Sequence, residues 1–190
     1  MAKEQGSVLT INGGEFLDPG HNTKGENPVG ITIANGKIIT NRTLEGSSYG
    51  LIGFNEDNTL VLLHNVTGES ALEMGVRDAV TMAPFLIVNG KPAFTKGNGG
   101  WGYAARTAIG QRKDGIVLFL VIDSNATRTK GASMKDLVEI MQRYGAVNAA
   151  NLDGGTSSAM VVEGTMINDP IDSVGRHRTR GIPTVFNVIP

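Results

Sequence analysis

The sequence predicts a mixed α/β domain: a many-stranded mixed sheet with several hairpins and one long packed helix. Three observations carry this expectation. Short β-favouring runs recur along the chain, Asn-Gly and Gly-rich turns separate them, and residues 133–144 sustain helical spacing over three turns. At 190 residues and 40% hydrophobic content, the chain is long enough for one core and short for two. A single domain over residues 7–190 is expected.

Taken in order, residues 7–12 read as a strand that begins after only six residues, without a preceding turn or cap. This suggests a domain joined part-way in, truncated at its N-terminus. Residues 29–34 and 37–40 flank Asn35-Gly36, and Asn-Gly between β-favouring runs is a strong hairpin signal because both central residues of a type I′ turn need positive φ. Asn89-Gly90 repeats the device between residues 84–88 and 91–94. Further hairpins are expected at residues 112–115 and at Glu163-Gly164, and residues 49–54 and 59–64 add two short strands.

Ser70-Ala-Leu-Glu73 has capping-box form and predicts a short helix running toward Gly75. In the longer helix Ser133 caps, Met134, Leu137, Val138 and Met141 share a face, and Gly145 terminates. Residues 116–122, apolar on both parities, read as a central strand covered on both faces. With the helix and residues 146–151 they form a βαβ-like unit that sets Asp123 and Asp153 at strand ends along one sheet edge.

The polar centre of residues 149–160 interrupts two apolar runs. Asn151, Asp153, Thr156, Ser157 and Ser158 supply acceptors and hydroxyls, and Gly154-Gly155 permits positive φ and close approach of a ligand. Such a turn sets one carboxylate beside several N–H groups, as in an anion-binding nest; the bland reading is an Asx-type turn closing a hairpin.

A formal net charge of −1 supplies no global field toward nucleic acid or an anionic membrane. Cysteine is absent, which excludes a disulfide framework, a zinc-thiolate centre and a Cys nucleophile. No apolar run has the length of a membrane span, and no signal peptide is evident, so membrane insertion is not expected. His21, His64 and His177 lack metal-ligand spacing. Ser157-Ser158 does not form a nucleophile elbow, and no histidine is tied to it.

Asn12-Gly13-Gly14-x-Phe16, Arg106-Thr-Ala-Ile-Gly110 with Asp114-Gly115, the strand ending in Asp123, the long helix, and Asn151-Leu-Asp-Gly-Gly-Thr-Ser-Ser158 together resemble the phosphodiester glycosidase domain family. The resemblance runs from Val8 to Val188. It implies hydrolysis of a sugar-1-phosphodiester at the glycosidic side, N-acetylglucosamine-1-phosphodiester being the type substrate, in a glycan or exopolysaccharide-like surface polymer. It also implies an extracellular or cell-surface setting for the full-length protein. Two departures from the family pattern stand out: Thr156 replaces a glycine, and the basic stretch Arg176-His-Arg-Thr-Arg180 is longer than the single arginine expected before a closing strand at Ile182-Pro183-Thr184.

On these grounds Asp153, Asp123 and Arg106 are the expected catalytic residues. Asp153 acts as nucleophile or as base for water, and Asp123 serves as second carboxylate or orienting partner. Asn12, Gly13, Gly14, Asn151, Gly154, Gly155, Thr156, Ser157, Ser158 and Arg180 are expected to bind a carbohydrate phosphodiester. A monoanionic phosphodiester requires cations and N–H or O–H donors, so Arg106 and Arg180 are expected to converge on residues 154–158. Because phosphate leaves readily, one carboxylate can suffice.

Structural readings stand beside these. Arg106 could be a buried arginine satisfied by Asp114 or Asp123, and Asp123 a turn cap; Glu15 is a candidate third carboxylate, although a solvated turn residue is the favoured reading. Trp101 could stack on a sugar or anchor its Gly-rich loop. No cofactor is firmly implied and no metal ligands are assigned, although Asp123, Asp153 and Asn151 are hard oxygen ligands that could hold Ca²⁺ or Mg²⁺. A non-catalytic glycopolymer-binding domain is the alternative function.

Overall fold

The computed structural model describes residues 4–19, 25–42, 49–125, 129–172 and 174–190; His21 lies outside them. Three antiparallel sheets make up the fold, where the sequence predicts one mixed sheet. The first contains β1 (Leu9–Asn12), β12 (Met160–Val162), β13 (Thr165–Met166) and β14 (Val185–Val188), in the order β13-β12-β1-β14. The second contains β7 (Phe85–Val88), β8 (Lys91–Pro92), β9 (Arg106–Arg112), β10 (Val117–Ile122) and β11 (Ala146–Asn151), in the order β10-β9-β11-β7-β8. The third contains β2 (Ile31–Ala34), β3 (Lys37–Asn41), β4 (Gly50–Asn55), β5 (Leu60–Leu63) and β6 (Val76–Met82), in the order β3-β2-β6-β4-β5.

The sheets meet in one core. Ile11 and Phe186 from the first, Ile109 and Ala150 from the second, and Ile52, Val80 and Met82 from the third pack around Leu152. Helix α2 (Met134–Arg143) lies on the second sheet, burying Met134, Leu137, Val138 and Met141 against Leu86, Ile87, Ala108 and Ala149. Ser133 caps it in a reciprocal box with Asp136, and Gly145 follows at φ 83°.

The predicted hairpins at Asn35-Gly36, Asn89-Gly90, residues 112–115 and Glu163-Gly164 all form. Both residues of each Asn-Gly pair, and of Glu163-Gly164, have positive φ.

Four local expectations are corrected. The short helix α1 (Gly68–Glu73) starts earlier than expected, because Thr67 is the N-cap and Ser70 the N3 partner of the box. Residues 117–122 form an edge strand. Their doubled apolar parity arises because Leu118, Leu120 and Ile122 face α2 while Phe119 and Val121 face the central core. The central positions belong to β9 and β11, and β10 and β11 are separated by β9, so the expected βαβ unit is split. The closing strand is Val185–Val188, beyond Ile182-Pro183-Thr184.

Candidate active site

Strand β11 runs directly into the Asp-Gly-Gly turn. Leu152 is fully buried and its N–H donates to Thr107 O (2.8 Å), so the chain enters the turn from a fixed point and Asp153 falls on the opposite side. The Asp153 backbone is held at both ends: its N–H donates to Gly13 O (3.0 Å) and its carbonyl accepts from Asn12 Nδ2 (2.6 Å). Asn12 is itself buried, and its Oδ1 accepts from Thr107 Oγ1 (2.7 Å) and Ala159 N–H (3.1 Å). It thus ties β1, β9 and the turn together, a positioning task that engages both ends of its amide.

Gly13 and Gly14 are small for the same reason. A Cβ on Gly13 would stand 2.6 Å from Thr184 Oγ1, and one on Gly14 would stand 2.5 Å from Thr81 O. Their N–H groups donate to Thr184 O (2.8 Å) and Thr184 Oγ1 (3.0 Å), so neither is free for a ligand.

Arg180 grips the Asp153 carboxylate, with Nη2 at 3.1 Å from Oδ1 and 2.8 Å from Oδ2. The same guanidinium donates from Nη1 to Asp18 Oδ2 (2.9 Å) and from Nε to Ser157 Oγ (2.6 Å), and it lies 4.5 Å over the Phe16 ring. The side chains of Asp153 and Asp18 are 9% and 5% exposed, so two desolvated carboxylates share one cation. Burial raises the Asp153 carboxyl above its usual range, opposed by Arg180, Ser157 and the Gly154 N–H.

A third carboxylate belongs to this group. Glu15 is raised first by burial and then by the charge of Asp153, and Tyr49 Oη reaches its Oε2 at 3.4 Å. The sequence reading treats Glu15 as a solvated turn residue. Its N–H and C=O, however, are fixed by Thr81 O and Val29 N–H (both 2.9 Å), which turn the segment over the third sheet and bring the side chain inward. The signal available in the sequence was the spacing Asn-Gly-Gly-Glu-Phe, in which Phe16 is buried beneath Arg180.

Arg106 approaches from the other side of the turn. Its Cδ and Nη1 lie 3.8 Å from where a Cβ on Gly154 would stand. Nε donates to Ala132 O (3.1 Å) and Nη2 to Trp101 O and Gly102 O (2.9 and 3.0 Å), while Nη1 has no partner among the described residues. Its partners are thus carbonyls; Asp114 instead pairs with Arg112 (2.6 Å). Burial lowers the Arg106 pKa. Both arginines do flank residues 153–157.

The turn is more closed than an anion-binding nest. Gly155 N–H donates to Ala105 O (2.8 Å), Ser157 N–H to Gly154 O (3.2 Å), and Ser158 N–H to Gly155 O (3.1 Å). The Gly154 N–H serves Asp153, which leaves Thr156 with the turn's N–H that has no partner among the described residues. Asn151 donates Nδ2 to Ala83 O (2.8 Å) while its buried Oδ1 has no partner among the described residues, and the buried Ser158 Oγ is likewise unpartnered.

Asp123 does not join Asp153 directly. Its oxygens accept from Asn168 Nδ2 (2.7 Å) and Asp169 N–H (2.9 Å), and Asn168 in turn donates to Ser158 O (3.0 Å). This chain buttresses the end of the turn. Among the described residues no three His, Cys, Asp or Glu side chains are placed to hold a metal ion. A groove of mixed lining, with Ile33, Phe54, Phe119 and Phe186 beside Arg77, Asp78 and Asn187, lies along β14, apart from Asp153 and Arg180.

The fold and site define a sheet-rich domain with a desolvated carboxylate–arginine centre at the end of a central strand. The phosphodiester glycosidase family model matches residues 5–189, and the chain belongs to that family. It is 30% identical over 183 residues to the SPbeta prophage-derived uncharacterized protein YomE of Bacillus subtilis, covering 93% of this chain and 27% of that protein. Over 69 residues it is 36% identical to bovine N-acetylglucosamine-1-phosphodiester alpha-N-acetylglucosaminidase, covering 36% of this chain and 13% of the enzyme. The chain therefore spans about a quarter or less of these relatives' length.

Among solved structures, the catalytic domain of the zebrafish N-acetylglucosamine-1-phosphodiester alpha-N-acetylglucosaminidase, auto-inhibited by its pro-peptide, superposes with TM-score 0.79 at 22% identity, over 100% of this chain and 65% of that one. A Burkholderia pseudomallei protein, provisionally described as exported, gives TM-score 0.64 at 17% identity, over 100% of this chain and 67% of that one. These two likenesses establish a shared fold. No helix among the described residues is long and apolar enough to cross a membrane.

Proposed function

We propose that the chain is a hydrolase that cleaves the glycosidic bond of a sugar-1-phosphodiester of the N-acetylglucosamine-1-phosphodiester type, within a glycan or cell-surface polymer. The observation that carries this reading is the Asp153–Arg180 centre with Glu15 coupled to it, inside a chain of the phosphodiester glycosidase family. Water adds to the anomeric carbon as the bond from that carbon to the phosphate oxygen breaks. The sugar leaves with a new hydroxyl, and the phosphate departs as a monoester.

The carboxylates divide this work by their surroundings. Asp153, saturated by Arg180, Ser157 and Gly154, is held in one orientation toward positive charge developing at the anomeric carbon. Glu15 has Tyr49 as its hydrogen-bonding side chain and a raised pKa, which suits it to take the proton from water. Arg180 already faces Asp18 and Asp153, so the phosphodiester charge is met by Arg106 Nη1 and the Thr156 N–H. Asp123 acts as a positioning residue through Asn168. Action outside the cytoplasm is part of this reading, in line with the structural neighbour provisionally described as exported.

The alternative reading is a glycopolymer-binding domain without turnover, which would need the anion-facing donors but not the carboxylate. Hydrolysis in ¹⁸O-water separates the readings. Glycosidic cleavage places the label in the released sugar and none in the phosphomonoester; label in the phosphate would refute the assignment, and binding without release would favour the binding domain.

A further inference from the structure

The loop before β9 carries Trp101, the chain's one tryptophan, and Tyr103, with relative exposures of 45% and 58%. Large aromatic rings normally contribute by burial, and a loop anchor would have its ring packed down. Here the backbone is pinned while the rings stay in water. Gly99 sits against Met134, where a Cβ would stand 2.7 Å from the methionine Cβ, and Gly100 N–H donates to Asn98 Oδ1 (2.9 Å). Arg106 Nη2 holds the carbonyls of Trp101 and Gly102 at 2.9 and 3.0 Å. The same guanidinium borders Gly154, so one side chain fixes the distance between the aromatic loop and the turn that bears Asp153.

We propose that Trp101 and Tyr103 form a stacking subsite for a pyranose ring of the substrate, set beside the Asp153 turn by Arg106. The inference rests on the glycosidase reading and adds to it a recognition element for the sugar. A pyranose presents an apolar C–H face and polar edges. An exposed ring on a rigid loop covers the former and leaves the latter to water, with little ordering cost on binding. The Gly residues on both sides of Trp101 keep neighbouring side chains from shielding the ring; Gly99, Gly100 and Gly102 all have positive φ.

Because Trp101 is the one tryptophan, emission excited at the red edge, where tyrosine does not absorb, reports on this loop alone. The Asp153→Asn protein, whose turnover is strongly slowed on this account, is titrated with N-acetylglucosamine-1-phosphate and with cellotriose, with calorimetry in parallel. The expected result is a blue-shifted emission and reduced acrylamide quenching that saturate with the calorimetric isotherm. The dissociation constant should rise roughly 2- to 10-fold in Trp101→Ala and again in Tyr103→Ala. A response to the sugar phosphate assigns the ring to the donor sugar; a response to cellotriose assigns it to the neutral flanking glycan. Calorimetric binding with unchanged emission and quenching overturns the subsite. If the wild-type protein still releases sugar in that case, the glycosidase reading stands without it. Absence of calorimetric binding to both probes, in a variant with wild-type circular dichroism, also overturns the subsite.

Discussion

Replacing Arg180 by methionine keeps much of its volume and removes the charge that two buried carboxylates share. Asp153 and Asp18, with side chains 9% and 5% exposed, would lose their guanidinium bonds of 2.8 and 2.9 Å, and Ser157 Oγ its partner at 2.6 Å. Breaking a buried pair from one side costs about 3–5 kcal/mol, because the remaining charge is left desolvated. For a domain of this length that corresponds to a fall in melting temperature of roughly 6–20 °C.

The sign of the pH dependence follows from the same contacts. Arg180 opposes the burial-driven rise of the Asp153 pKa, so its contribution is present where Asp153 is ionised and fades as pH falls through that titration. Urea denaturation at pH 7 and at pH 4 should show the penalty at neutrality and a smaller one in acid. Adding Asp153→Asn to Arg180→Met should recover part of the loss. A penalty under about 1 kcal/mol, the scale of an exposed pair, or one of equal size at both pH values, would refute the reasoning.

Glu15→Gln removes a carboxyl whose folded pKa is raised, so wild-type stability should fall relative to the variant as pH rises through that titration; melting curves in which the two proteins keep a constant difference would contradict this. Gly14→Ala drives a Cβ to 2.5 Å from Thr81 O and should cost about 1–3 kcal/mol in denaturant titration, as overpacking does. Asp123→Ala frees Asn168 and Asp169 and should lower kcat while leaving KM within a factor of about three; Asp123→Asn should restore part of the rate, and equal loss in both variants would point instead to direct chemistry.

The sequence made the local elements legible and the global arrangement less so. Asn35-Gly36, Asn89-Gly90 and Ser133 announced their turns and cap because each backbone geometry admits few residue types. Sheet partition was hidden, since antiparallel partners such as β1 and β14 lie far apart in sequence and leave no periodic trace. Strand β9 is central yet reads Arg-Thr-Ala-Ile-Gly-Gln-Arg. Its polar members are satisfied individually, Thr107 by Asn12 and Gln111 by the backbone of Leu60, Asn58 and Gly115.

The same limit applies at the site. Residue type and motif pointed to Asp153, Arg106 and Arg180, which the fold brings to one turn. Glu15 was misread because its burial depends on Thr81 and Val29, neither visible from its neighbours. The glycines of residues 13–14 and 154–155 suggested open amides, whereas close packing against Thr184, Thr81 and Ala105 accounts for three of the four. Gly155, at φ 58° with open space beside it, is the exception.

The central claim is that Asp153 is the essential carboxylate of a glycosidic hydrolysis. Turnover of an N-acetylglucosamine-1-phosphodiester by Asp153→Asn protein of verified fold tests it most directly. The account predicts a fall of roughly 10²-fold or more relative to wild type, the scale on which a preorganised charge stabilises a transition state; near-normal release of sugar by that variant would contradict it.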